Sequence, residues 1–407
     1  IYKAWLDQAK LAQSSLKGFN KNNNFVYGSN SCFSGIISQN NITIEASETG
    51  GFFSCKLSLN MLNWKATIDP ITFTQDEITK PKPISLNEIE EVAKLGVQIN
   101  IDNLSILEQF GQKHPNIPVC VRINPHIMAG GNSKISVGHI DSKFGISIHQ
   151  VPHIKRVVEN TGMNINGIHM HTGSDILDID TFLRASDILF DVAKQFKNID
   201  FIDFGSGFKV PYKEGDISTD IEQLGLQLSE RFNEFCAEYG KDITLMFEPG
   251  KFLVSEAGSF LAKVNVVKQT TSTVFAHVDS GFNHLVRPMM YDSYHHITNI
   301  SNPTGRDRYY SVVGYICETD TFASNRRIAE ISEEDILCFH NAGAYCFSMA
   351  SNYNSRYIPA EVMVHKGTDY LIRKRQTIED ILHNQVVADL PKEKVLKEVS
   401  EKEYTEV

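Results

Sequence analysis

Between about residue 85 and residue 250 two hydrophobic periods take turns, and few folds accommodate such an alternation. Helical repeats at 86–95 and 181–196 are interleaved with short apolar runs at 98–101, 119–123 and 167–170. Runs of that length read as strands buried on both faces, and helices between them imply a parallel β/α sheet. The expected fold class is α/β, with a β/α barrel over residues 25–250. After residue 252 the period changes to two, with turn residues separating segments at 262–267, 273–278, 309–315, 335–339 and 361–364. A second, all-β domain is expected over 251–385, with residues 1–24 packing on it and a charged tail at 386–407. A chain of 407 residues is too long for one ordinary core, so two domains suit it.

Three strand ends in this pattern carry chemistry. The strands of a β/α barrel deliver side chains to one mouth at their carboxyl ends. The first such end reads His169-Met170-His171-Thr172-Gly173-Ser174, two imidazoles and a hydroxyl. The second, at 201–208, contains Asp203-Phe204-Gly205-Ser206-Gly207, where glycines let the backbone approach a ligand and point its amides at an anion. The third runs through Glu248-Pro249-Gly250-Lys251 and delivers a carboxylate and a cation. Each has a plain alternative: core or surface histidines, an ordinary turn, a solvated acid. Three in chain order outweigh them.

Composition excludes several partners. With 49 acidic and 39 basic residues the net charge is -10, which disfavours nucleic acid and anionic membranes. No apolar run reaches bilayer length and no secretory signal opens the chain, so the cytoplasm is the expected compartment. The chain starts at Ile1, which suggests a fragment or a trimmed start. Seven cysteines, at 32, 55, 120, 236, 317, 338 and 346, are scattered without metal-ligand spacing. They read as reduced core thiols, with no metal site expected. Cys317 stands apart because acidic residues follow it, in Cys317-Glu318-Thr319-Asp320.

Eight motifs in order carry a resemblance: Arg122-Ile-Asn-Pro, Ser142-Lys-Phe-Gly, His169-Met-His-Thr-Gly-Ser, Asp203-Phe-Gly-Ser-Gly-Phe, Glu248-Pro-Gly-Lys, Arg287-Pro-Met-Met-Tyr, Cys317-Glu-Thr-Asp and Gly343-Ala-Tyr. From about 85 to 385 the chain resembles the fold-type III pyridoxal-phosphate-dependent decarboxylases, the ornithine, diaminopimelate and arginine group, and within it most closely the diaminopimelate branch. The resemblance implies a TIM-like, alanine-racemase-type barrel that binds pyridoxal 5'-phosphate, followed by the β domain. It implies decarboxylation of meso-2,6-diaminopimelate to L-lysine and carbon dioxide, the last step of lysine biosynthesis. Glu248 would keep the cofactor ring nitrogen protonated and His171 would stack on the ring, with His169 behind it. Arg122, Ser174, Gly205, Gly207, Gly250, Lys251 and Tyr345 complete the cofactor cup. Lys251 stands where the family carries arginine, keeping the charge and losing the planar fork. For the substrate, a small amino acid with a distal carboxylate and ammonium, the resemblance assigns Arg287, Tyr291, Glu318 and Tyr345. Cys317 becomes the proton donor, reaching into the neighbouring subunit of a homodimer with shared active sites.

The first 84 residues match this family poorly. Phe25-Val26-Tyr27-Gly28 reads as the opening barrel strand, and Phe53-Ser54-Cys55-Lys56-Leu57 as the strand bearing the lysine that holds the cofactor. Aliphatic neighbours at a strand end would depress the pKa of Lys56, as imine chemistry requires. Ser85 follows Lys56 by only 29 positions, so one β/α unit looks truncated. Two further readings stand beside the main one. One is another basic amino-acid or polyamine-pathway decarboxylase; the other is a cofactor-binding homologue with impaired catalysis.

Overall fold

The computed structural model describes residues 85–127 and 138–387, together with the backbone of four strands in the first 71 residues. Those four are β1 (Cys32–Ser38), β2 (Asn41–Ser47), β3 (Ser54–Asn60) and β4 (Lys65–Ile71). They form an antiparallel sheet in sequence order, which corrects the expected barrel strand around Lys56. Lys56 lies within β3, opposite Glu45 on β2 and Asp69 on β4. The reason is connection length. Two, six and four residues join these strands, enough for hairpins, whereas a parallel crossover needs roughly a dozen or more. Phe25-Val26-Tyr27-Gly28 lies outside the described residues.

The parallel sheet comprises β5 (Ile99–Ile101), β6 (Val119–Asn124), β7 (Ile146–Ser147), β8 (Ile165–His169), β9 (Phe201–Asp203) and β10 (Thr244–Met246). Its order is β10-β9-β8-β6-β5, with β7 on β6. Helices α1 (Leu86–Lys94), α2 (Leu104–Lys113), α3 (Val151–Thr161), α4 (Ile179–Ala193) and α5 (Ile221–Tyr239) link and cover the strands. Their starts are written in the sequence. Ser85 and Glu88 close a capping box on α1, while Asn103, Asp178 and Asp220 cap α2, α4 and α5 through their side chains. The apolar faces of α4 and α5 meet through Phe190 and Phe235, stacked at 4.8 Å. They bury Ile168, Ile202 and Leu245 of the strands in the same core.

Gly167 is fixed by this packing. It pairs with Phe201 across β8 and β9, and a Cβ there would lie inside the phenylalanine ring. Gly167→Ala should therefore cost about 1–3 kcal/mol of stability by overpacking, read as a lower urea midpoint. An unchanged midpoint would show that the ring can step aside.

Beyond the short helix α6 (Gly250–Val254) follow β11 (Phe260–Gln269), β12 (Val274–Val278), α7 (Arg287–Tyr291), β13 (Ile297–Asn299), β14 (Asp307–Val313), β15 (Thr321–Ala329) and β16 (Ile336–Phe339). The strands form a mixed sheet in the order β13-β16-β11-β12-β14-β15, around a core of Val264, Ala276, Tyr310, Val312, Leu337 and Phe339. The chain divides into two compact units, residues 1–350 and 351–407. The second contains the hairpin β17 (Glu361–His365) and β18 (Thr368–Arg373) and the short helix α8 (Ile378–Leu382).

Candidate active site

Strand register assembles the site. Arg122 on β6 lies opposite His169 on β8, His169 opposite Asp203 on β9, and Asp203 opposite Met246 on β10. One row thus crosses the carboxyl ends of four strands. Two residues beyond it come His171, Gly205 and Glu248, with the Glu248 N–H donating to the Gly205 carbonyl at 2.6 Å.

Charge is concentrated in this row. His169 is only 2% exposed, its Nε2 lies 3.5 Å from Glu248 Oε2, and neither ring nitrogen makes a hydrogen bond. One ligand atom from each of His169, Asp203 and Glu248 lies within 4.8 Å of the others. Burial, and then the Glu248 charge, push Asp203 up to about 7. The two carboxylates therefore do not both carry a full charge at neutral pH. Arg122, whose pKa burial lowers, lies in the field of both carboxylates and over the Phe144 ring at 4.9 Å. A group of this kind can hold a cation or a proton-bearing heterocycle.

Beside the row lies a flat cup. The Ser206 N–H donates to His171 Nδ1 at 3.3 Å. Burial, with Arg122 adding to it, pushes His171 down to about 4, so a neutral ring lines the site. Gly205 and Gly207 have φ of 59° and 121°. A side chain on Gly205 would meet the Met170 carbonyl and, at 2.9 Å, His171 Nδ1; one on Gly207 would meet the Gly173 carbonyl. Only glycine leaves this space. The hydroxyl of Thr172 is buried without a hydrogen bond. A neutral aromatic face, a side-chain-free turn and a carboxylate at the strand end together fit a planar, phosphorylated pyridine.

A second charged group lies nearby. Lys251 Nζ donates to Asp175 Oδ1 at 2.5 Å, and Lys251 feels the charges of Arg287 and Lys209. Arg287 starts α7, is buried, and lies 5.6 Å over the Tyr212 ring. Its Nε makes no hydrogen bond, and its Nη2 makes a long one, 3.4 Å to Ser293 Oγ. A buried guanidinium with spare donors suits a carboxylate. Tyr291, one turn along α7, shares its face.

The structure thus gathers Arg122, His169, His171, Gly205 and Glu248 in one group, and Lys251 with Arg287 in the other. Gly207 and Ser174 belong to the same turns, and Gly250 opens α6. Cys317 and Glu318 lie in the turn between β14 and β15. Cys317 is exposed, and its thiol donates to Glu318 Oε2 at 3.4 Å. Tyr345 is 40% exposed with φ 56°. The side chain of Lys56 lies outside the described residues. Asp203, Asp175 and Tyr212 are partners that sequence reasoning did not select. Asp203 was readable, as a carboxylate at a strand end before a glycine turn. Asp175 and Tyr212 carry no such signal.

The chain resembles known proteins in sequence and in fold. A family model described as pyridoxal-dependent decarboxylase, pyridoxal binding domain, matches residues 68–255. The chain is 38% identical over 310 residues to the diaminopimelate decarboxylase of Methanothermobacter thermautotrophicus, covering 74% of this chain and 72% of that one. Among solved structures, a diaminopimelate decarboxylase superposes with a TM-score of 0.69 at 34% identity, over 74% of each chain. The Helicobacter pylori diaminopimelate decarboxylase complexed with L-lysine gives 0.67 at 28% identity, over 74% of this chain and 76% of that one.

Proposed function

We propose a function from one premise: the chain belongs to the diaminopimelate decarboxylase family of pyridoxal-dependent decarboxylases. It is a pyridoxal-phosphate-dependent lyase with the family's barrel, and its reaction is decarboxylation of meso-2,6-diaminopimelate to L-lysine and carbon dioxide. A polyamine-pathway substrate is not favoured, because it offers no distal carboxylate to Arg287. The observation that carries the site assignment is the register row, which brings Glu248 beside His169 and Asp203 at the cup's edge.

When bound, pyridoxal 5'-phosphate supplies an electron sink for the pair that carbon dioxide leaves behind. Glu248 holds a proton at the ring nitrogen, and Asp203, Arg122 and His169 set the field in which it does so. The neutral His171 ring offers a stacking face. The side-chain-free turn at Gly205 and Gly207 would receive the phosphate, with Ser174, Gly250, Lys251 and Tyr345 at its rim. Arg287, with Tyr291, Glu318 and Tyr345, orients the far end of the substrate. Cys317 returns a proton to the α-carbon, and because it is exposed, it does so in the site of a second copy of the chain. The working unit is a homodimer. No helix among the described residues is long and apolar enough to cross a membrane, and the cytoplasm is the compartment proposed.

The substrate assignment is tested at Arg287. Replacing it by Ala should raise KM for diaminopimelate by roughly a hundredfold, the worth of a lost charge-assisted bond, while cofactor stoichiometry stays at one per chain. Better turnover of ornithine or arginine by the unmodified protein would refute the substrate. The lysine that binds the cofactor is proposed to be Lys56, on the match of Phe53-Ser54-Cys55-Lys56 alone; the antiparallel setting of β3 lends it no support. Borohydride reduction of the loaded protein should place the label on the Lys56 peptide. Label on any other lysine would reassign that role.

A further inference from the structure

Asp320 takes no part in the chemistry assigned above, yet it is 3% exposed and both its oxygens are engaged by separate segments. Oδ1 accepts from the Phe282 N–H at 2.8 Å and Oδ2 from the Ile316 N–H at 3.0 Å. The main chains close around it, since the Gly314 N–H donates to the Asp320 carbonyl at 2.8 Å and the Tyr315 N–H to the Ser280 carbonyl at 3.0 Å. Gly281 and Gly314 make room for the carboxylate. A Cβ on Gly281 would lie 2.6 Å from Asp320 Oδ2, and one on Gly314 would strike the same oxygen.

The two clasped segments lead to different functional groups. Residues 280–282 run into α7 and Arg287, while 314–316 run into Cys317 and Glu318. Between Glu318 and Asp320, Thr319 has φ 58°, a left-handed conformation that a β-branched side chain adopts only when its surroundings compel it. We propose that Asp320 is a positioning residue. Its buried carboxylate holds the strained Cys317–Glu318 turn against residues 280–282, so that the turn keeps the shape in which it offers the thiol to the neighbouring copy's site. This rests on the reading of Cys317 as proton donor.

The test compares the full-length, cofactor-loaded protein with its Asp320→Asn variant. The amide keeps the shape but sets a donor against one of the two N–H groups. The kcat for diaminopimelate should fall roughly 10- to 100-fold through lost orientation, with KM changing less than about threefold. The Cys317 thiol is held by its hydrogen bond to Glu318, so loosening the turn should free it for attack. Alkylation of Cys317 by iodoacetamide, followed on its own peptide, should then quicken at least about fivefold. The buried Cys338 and Cys346 serve as internal controls and should stay unreactive. If Asp320→Asn does not fold, Gly281→Ala, which crowds the carboxylate from its seat, should give the same pattern. Unchanged kcat and Cys317 labelling would overturn the proposal, and so would labelling that rises equally at Cys338 and Cys346, the mark of a generally loosened fold. Should Cys317→Ala itself keep full kcat, the donor reading falls, while selective labelling in Asp320→Asn would still report the clasp.

Discussion

Glu248→Gln should bind pyridoxal phosphate with one equivalent per chain and turn over diaminopimelate about a thousandfold more slowly. Glutamine keeps the length and the hydrogen-bonding capacity of the side chain but cannot carry the negative charge that holds a proton on the ring nitrogen. Without that proton the ring withdraws electrons poorly from the breaking bond, a loss of about 4 kcal/mol of transition-state stabilisation. The variant also relieves the pressure that Glu248 exerts on Asp203. Its kcat should therefore be measured across pH, so that a shifted optimum is not mistaken for a lower maximum. Turnover within tenfold of the parent at the best pH would remove Glu248 from this role.

Two disabled chains should make one working enzyme. If Cys317 acts in its neighbour's site, a mixed dimer of Glu248→Gln and Cys317→Ala chains contains one site with both residues intact and one with neither. Random exchange puts about half the dimers in that state, so activity should return to about a quarter of the parent's from near zero in either parent variant. Mass-resolved mixed dimers without recovered activity would mean that each chain completes its own site.

Parallel strands were legible where a short, mostly apolar run stands between helical repeats. The run at 119–123 became β6 with one residue added, and 167–170 fell within one or two residues of the end of β8. β15 was not legible. Its sequence, Thr-Phe-Ala-Ser-Asn-Arg-Arg-Ile-Ala, has no sustained period of two, and its place comes from pairing with β14. The site was legible where a motif ends a strand, as with His169, His171, Gly205 and Glu248. It was illegible where a partner arrives through tertiary contact: Asp175 meets Lys251 from 76 residues away. The first sheet was misread for a different reason. Residue type suggested a lysine strand, while the spacing between segments, too short for any crossover helix, was the stronger constraint.

The row from Arg122 through His169 and Asp203 to Met246 has a consequence for how such a chain can vary. Side chains alternate faces along a strand, so a single residue inserted or deleted ahead of the row, inside β6, β8 or β9, would turn that strand's contribution away from its neighbours. A residue gained or lost after the row changes only the reach of a loop, which costs little. Length changes should therefore be purged on one side of a single line across the sheet and tolerated on the other. New substrate preferences would arise by remodelling the tolerant side, leaving the electrostatic row where it is.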